Sequence, residues 1–202
     1  AAAAAVVVLA SSRGLCGGYN SSVLRAALGF LGERHQQAKP TEATVFGSKG
    51  LAYFRFIRQP VVEPTSAVSE PPRFEQVEPI ANRLIQRFLD GEVSAVHVSY
   101  MRFHSAGTQR PETIQLLPLT PTEVPGGVKE RAVDYEFRPE PTALLDDLLP
   151  AVARIRLFQA FLDATVSEQI ARMVAMKAAT EASDEMIKTL SRQYNRARQT
   201  QI

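Results

Sequence analysis

The sequence contains no tryptophan, one cysteine and three histidines. A single thiol, Cys16, excludes an intramolecular disulfide and fits a reducing compartment. His35, His97 and His104 are scattered and Cys16 stands alone, so no zinc-ligand spacing exists. Charge of one sign is lacking too. Lys and Arg number 23 against 21 Asp and Glu, a net charge of +2, which supplies no basic field for nucleic acid. The apolar opening at residues 1–9 is far below the roughly 20 residues of a membrane span and has no basic flank. The last absence is positional. Residues 151–202 contain neither glycine nor proline.

What fills that stretch is mostly helix formers. As one helix it would extend roughly 78 Å, too long for a compact domain of this size, where helices average about 11–12 residues. Such a rod must project and find a partner. Met173, Met176, Thr180, Ser183, Ile187, Leu190, Tyr194, Ala197 and Gln201 recur at alternating steps of three and four, the coiled-coil spacing. Ala178, Ala179 and Ala182 keep the rod slim there. Ile155, Phe158, Leu162 and Ile170 continue an apolar face upstream. No other segment reads as a matching long helix, so the partner is expected from another chain or a further segment.

The remainder alternates strands and helices. Residues 6–11 read as a strand buried on both faces. A helix capped by Asn20, Ser21 or Ser22 runs to about Arg34. A strand at 43–46 is followed by a helix capped by Ser48 and carrying Leu51, Phe54 and Ile57. Four prolines mark 59–73 as a connector. Val77, Ile80, Leu84, Phe88 and Leu89 make the next helix amphipathic, and Gly91 suits its end. Strands at 93–103 and 113–117 form a hairpin around 104–111. Residues 118–141 read as a second connector, with a short edge strand at 135–137. Thr142 caps a short helix with Asp146 and Asp147, and Pro150 opens the rod. The order predicts an α/β fold, a small mainly parallel sheet with flanking helices, followed by a long C-terminal coiled-coil helix. The expected boundary gives a Rossmann-like foot domain at 1–149 and a long helix at 150–202.

The glycine-rich segment Ser12-Arg13-Gly14-Leu15-Cys16-Gly17-Gly18-Tyr19-Asn20 sits between a strand and a helix, where backbone N–H groups can bind phosphate. It matches neither G-x-G-x-x-G nor a Walker A loop. Cys16 near a helix start could act as a nucleophile, which would make the chain a small soluble cysteine-dependent α/β hydrolase dimerising through its long helix. No histidine or acid motif stands beside it. The plain alternative is a tight turn that needs glycine, with Cys16 a small packed residue.

That segment, together with Ala171-Arg172-Met173-Val174-Ala175-Met176-Lys177-Ala178-Ala179-Thr180 and Tyr194-Asn195-Arg196-Ala197-Arg198-Gln199, resembles the gamma subunit of rotary F-type ATP synthases. The resemblance spans essentially the whole chain, though 33–141 matches in layout more than in residues. It implies the central rotor shaft of a proton-translocating ATP synthase, a non-catalytic subunit with no cofactor of its own. ATP, ADP and magnesium would bind on other subunits. Implied partners are the alpha and beta subunits of the catalytic hexamer, an epsilon-type stalk subunit and the membrane c-ring, with no nucleic acid. The implied location is peripheral, on the inner face of an energy-coupling membrane: a bacterial plasma membrane, or an organelle inner or thylakoid membrane. The residues implied to contact beta subunits are Arg13, Gly14, Cys16, Gly17, Gly18, Arg172, Lys177, Arg198 and Gln199. The implied seam is Met173, Met176, Ile187, Leu190, Tyr194 and Ala197. Family members often carry Asp before the loop arginine, where this chain has Ser12. They also begin with a long helix antiparallel to the C-terminal one and run on past Ala197-Arg198-Gln199, so by resemblance this chain is expected to lack both flanks.

Overall fold

The structure, a computed structural model, describes residues 2–62, 68–119 and 141–200, the side chains of 141–146 excepted. The expected strand at 135–137, the Thr142 cap, Asp146 and the seam end at Gln201 lie outside those residues and side chains. In chain order the elements are β1 (Ala3–Leu9), α1 (Tyr19–Gln36), β2 (Thr41–Phe46), α2 (Ser48–Phe56), α3 (Phe74–Leu89), β3 (Val93–Ser105), β4 (Thr108–Leu117) and α4 (Pro141–Thr200). The sheet order is β2-β1-β3-β4. β1 runs parallel to β2 and β3, and β4 closes one edge antiparallel to β3.

β1 explains the two-layer build. Its residues alternate in direction and are apolar at both phases. Ala5, Val7 and Leu9 join a core with α3 and α4, while Val6 and Val8 join a second core with α1 and α2. The opening alanines are therefore part of the strand from Ala3 onward, three residues before the expected start. The hairpin turn is also tighter than expected. β4 begins at Thr108, and Pro111 lies within it opposite Met101. A proline lacks the N–H a central strand needs, and it is tolerated because β4 is an edge.

Two helix starts differ from expectation. α1 begins at Tyr19 after Gly18, and α2 at Ser48 after Gly47. The side chains expected as caps are engaged elsewhere: Asn20 bonds the preceding loop and the Ser48 hydroxyl donates to the Ser12 carbonyl at 2.8 Å. α3 buries Val77, Ala81 and Leu84, with Ile80 and Phe88 packed beside them, but Leu89, expected on the same face, is exposed at the helix end.

α4 differs most. It is one helix of 60 residues, about 90 Å long, and it runs through Pro150. Proline removes one backbone hydrogen bond, yet the turns on both sides keep theirs, so the expected short helix and the rod are continuous. The 149/150 boundary falls inside this helix. α4 also carries two apolar faces. Ala153, Leu157, Ala160, Phe161 and Ala164 are buried against the sheet and α3, and Phe161 meets Phe46 edge-on at 5.2 Å. The Ser167 hydroxyl donates to the Met101 carbonyl at 3.3 Å, holding α4 to β3. Ile155 and Val166 point away from that core and are exposed. From Lys177 to Thr200 every residue is exposed.

His97 on β3 is buried, its ring 4.7 Å from that of Phe30, and its Nδ1 has no hydrogen-bond partner. Val6 of β1 and Gln115 of β4 flank it in the sheet. Burial lowers its pKa, and the Arg34 charge on α1 adds to that. A lowered folded-state value means that the neutral ring stabilises the fold above the unfolded value near 6.5, and that this contribution is lost as pH falls below it. We expect the urea midpoint to drop on going from pH ~7 to ~5 more steeply in the natural chain than in His97→Gln. Equal slopes would show that His97 does not couple to folding.

Candidate functional site

The loop between β1 and α1 is held from within. Asn20 accepts from the Ser11 N–H through Oδ1 at 3.0 Å, and its Nδ2 donates to Ser11 Oγ at 2.7 Å. Ser11 Oγ in turn donates to the Arg13 carbonyl at 2.6 Å. A second brace comes from α2, where the Lys49 N–H donates to the Ser11 carbonyl at 3.1 Å. Gly17 takes φ +54°, a left-handed turn that glycine adopts without penalty. Leu15 takes φ +63° with no such freedom, and it is 72 % exposed at the loop tip.

The loop lies against α4. A Cβ added at Gly17 would stand 3.7 Å from that of Ala175. Arg172 Nε donates to the Gly14 carbonyl at 3.4 Å, and its Nη2 donates to Glu168 Oε1 at 2.5 Å. Glu168 is only 4 % exposed. Its carboxylate keeps Arg172 charged. Burial nonetheless pushes the Glu168 carboxyl upward, because desolvation outweighs the pull of Arg172. On the other side Arg13 Nη2 donates to Glu70 Oε2 at 2.7 Å. Arg13 is thus paired with an acid 57 residues away and not with its neighbour Ser12.

A cavity of about 220 Å³ opens beside this cluster, walled by Leu9, Phe46, Val68 and Phe161, with Glu70 and Glu168 on its lining. Both carboxylates are already neutralised by the two arginines. Tyr19 also lines it; its hydroxyl donates to the Leu9 carbonyl at 3.3 Å, and burial raises its pKa, with the Glu168 charge adding. Among the described residues no group of three or more His, Cys, Asp or Glu could hold a metal ion. Among the same residues no helix is long and apolar enough to cross a membrane.

The expected contact residues therefore divide. Arg13, Gly14, Gly17, Gly18 and Arg172 come together in one cluster. Lys177 is exposed on α4 just beyond it. Arg198 and Gln199 are exposed roughly 40 Å farther along the helix axis. Cys16 is a correction: it is 3 % exposed, packed among the α1 core residues, and accepts from Asn20 Nδ2 at 3.4 Å. Its thiol is neither a contact surface nor an accessible nucleophile, because a small soft side chain is what the loop folds around. The seam residues Met173, Met176, Ile187, Leu190 and Tyr194 are all exposed. Sequence reasoning missed Glu168, Glu70 and Leu15. The Glu168/Arg172 pair carried a signal, opposite charges four apart on a helix. Glu70 carried none.

A family model described as ATP synthase matches residues 1–202. The chain is 39% identical over 200 residues to an ATP synthase gamma chain of Anaeromyxobacter sp., covering 98% of this chain and 68% of that one. It is 41% identical over 207 residues to an ATP synthase gamma chain of Nocardioides sp., covering 98% and 67%. Among solved structures, the central stalk of Tetrahymena thermophila mitochondrial ATP synthase aligns with TM-score 0.62 at 21% identity, over 88% of this chain and 76% of that chain. The rotor of Euglena gracilis mitochondrial ATP synthase aligns with TM-score 0.61 at 17% identity, over 98% and 74%. At those identities the likeness speaks for the fold.

Proposed function

The chain belongs to the ATP synthase gamma-chain family, and from that premise we propose that it acts as the central shaft of the rotary motor, coupling rotation of a membrane ring to conformational change in a catalytic hexamer. The single observation that carries this is α4, a 60-residue helix packed on the α/β core from Ala153 to Ala164 and exposed from Lys177 to Thr200. A shaft needs stiffness, an anchorage and a free length. It needs no catalytic group. Family membership supports the shaft and not the cysteine-dependent hydrolase, and the burial of Cys16 removes that enzyme's nucleophile.

The finer parts of the reading follow. Residues 1–149 serve as the foot and 150–202 as the shaft, with the stretch from Ala153 to Glu168 acting as the shaft's socket in the foot. The partners are the alpha and beta subunits, an epsilon-type stalk subunit and the c-ring, with the whole held peripherally at the inner face of an energy-coupling membrane. The bare seam takes a second, antiparallel helix. The loop cluster and the distal pair Arg198 and Gln199 meet beta subunits at two levels of the shaft. Contacts that differ between beta states are what shift their populations.

Alanine at both Arg198 and Gln199 tests the distal contact. An arginine fork on a carboxylate at a desolvated interface cannot be replaced by alanine. ATP hydrolysis of the purified complex is expected to fall by about tenfold or more, while subunit stoichiometry stays that of the natural complex. Full turnover with full assembly would assign both side chains to a solvated face.

A further inference from the structure

Glu168 is the one carboxylate among the buried polar residues of the described chain. An apolar side chain could fill such a place without desolvating a charge. What it could not do is orient a guanidinium. Arg172 spans three partners: Glu168 through Nη2 at 2.5 Å, Gln169 Oε1 through Nη1 at 3.1 Å, and the Gly14 carbonyl through Nε at 3.4 Å. The first partner lies in the socket, where α4 still packs on the sheet. The last lies in the glycine-rich loop. Arg13 and Glu70 tie the far side of the same loop to the segment entering α3. This cluster sits where α4 leaves the core: Ser167 still bonds β3, and from Lys177 onward the helix is exposed.

We infer that Glu168 is a positioning residue: through Arg172 it locks the glycine-rich loop to the base of the shaft, so that loop and shaft turn as one rigid unit. The inference rests on the reading of this chain as a rotor. It gives Arg172 a role within its own chain, and it makes the loop an extension of α4 that a force on either can reach. Without the Glu168 carboxylate the guanidinium loses its buried, charged anchor and keeps only the exposed Gln169 on α4, so its reach to the Gly14 carbonyl is no longer held in place.

The test uses the assembled complex carrying Glu168→Gln or Arg172→Lys. The second variant keeps a cation beside Glu168, so the buried charge stays paired, but it lacks the planar fork that also reaches Gly14. Amide hydrogen exchange of residues 14–18 is expected to quicken by about ten- to hundredfold in both, with β1 and β3 amides unchanged. In membrane vesicles the ions pumped per ATP hydrolysed should fall while hydrolysis continues, and Glu168→Asp should recover part of that ratio. Natural exchange at 14–18 in both variants would overturn the lock. Faster exchange with a natural pumping ratio would keep the lock and instead overturn the loop's part in coupling. A complex that no longer contains the other subunits with natural protein present would fail the rotor reading itself.

Discussion

Gly47→Ala is expected to destabilise the chain by about 4 kcal/mol or more, enough to abolish assembly of the complex. Gly47 holds φ +93°, a region closed to side chains, and a Cβ there would lie 2.2 Å from the Ala10 carbonyl oxygen and 2.7 Å from that of Ser11. Those atoms are backbone at the end of β1 and cannot step aside without breaking the Ala10 N–H bond to Phe46 at 3.0 Å and the loop braces that follow it. Gly29→Ala is the control. It lies in α1 with nothing within 4 Å of an added Cβ, and it is expected to raise stability by up to about 1 kcal/mol. Urea midpoints of the two variants read the contrast. An unchanged midpoint for Gly47→Ala would mean that the β1–α1 loop is far softer than its bonding indicates.

The second large effect divides α4. Leu157 is fully buried between the sheet and α3. Leu157→Ala should cost about 3–5 kcal/mol, the transfer term plus the cavity left behind. Leu190 is more than half exposed on the seam, so Leu190→Ala in the isolated chain should change stability by less than about 0.5 kcal/mol. In the assembled complex, where we propose that a second helix covers the seam, the same substitution should loosen the shaft. Hydrogen exchange reads the same division directly. In the isolated chain amides beyond Met173 should exchange quickly, since a helix without tertiary burial frays, while those around Leu157 stay protected. Equal protection along α4 would contradict a bare seam.

The glycine-rich loop shows how far residue patterns reach. That the turn needs glycine is borne out at Gly17, and the packed alternative for Cys16 describes what the thiol does. What holds the loop was not legible. The Arg13–Glu70 pair joins residues 57 apart, and the brace from Lys49 to Ser11 crosses between two βα units. Such contacts have no local spacing to detect.

α4 shows the same limit in a single element. The apolar pattern of Met173, Met176, Ile187, Leu190 and Tyr194 is readable because these side chains are bulky and fall on coiled-coil steps, and the structure leaves all five exposed. The buried stripe does not stand out because Leu157 and Phe161 are its only large members: Ala153, Ala160 and Ala164, small enough to let α4 approach the sheet, look like ordinary helix formers. Pro150 reads as a start because propensity treats proline as a terminus, whereas the helix runs through it from Pro141 to Thr200.

The sequence by itself determined the order of strands and helices from β1 to β4, the mainly parallel sheet, the projecting rod and the family. Each of these rests on local periodicity, on turn residues or on motifs that stay contiguous in the chain. Only the tertiary structure decided where the rod is rooted, which of its two apolar faces is buried, that Cys16 is sealed, and that Glu168 stands behind Arg172. Those outcomes depend on which side chains are brought close in space, and burial, desolvation and ion pairing act over ångströms with no regard for separation along the chain.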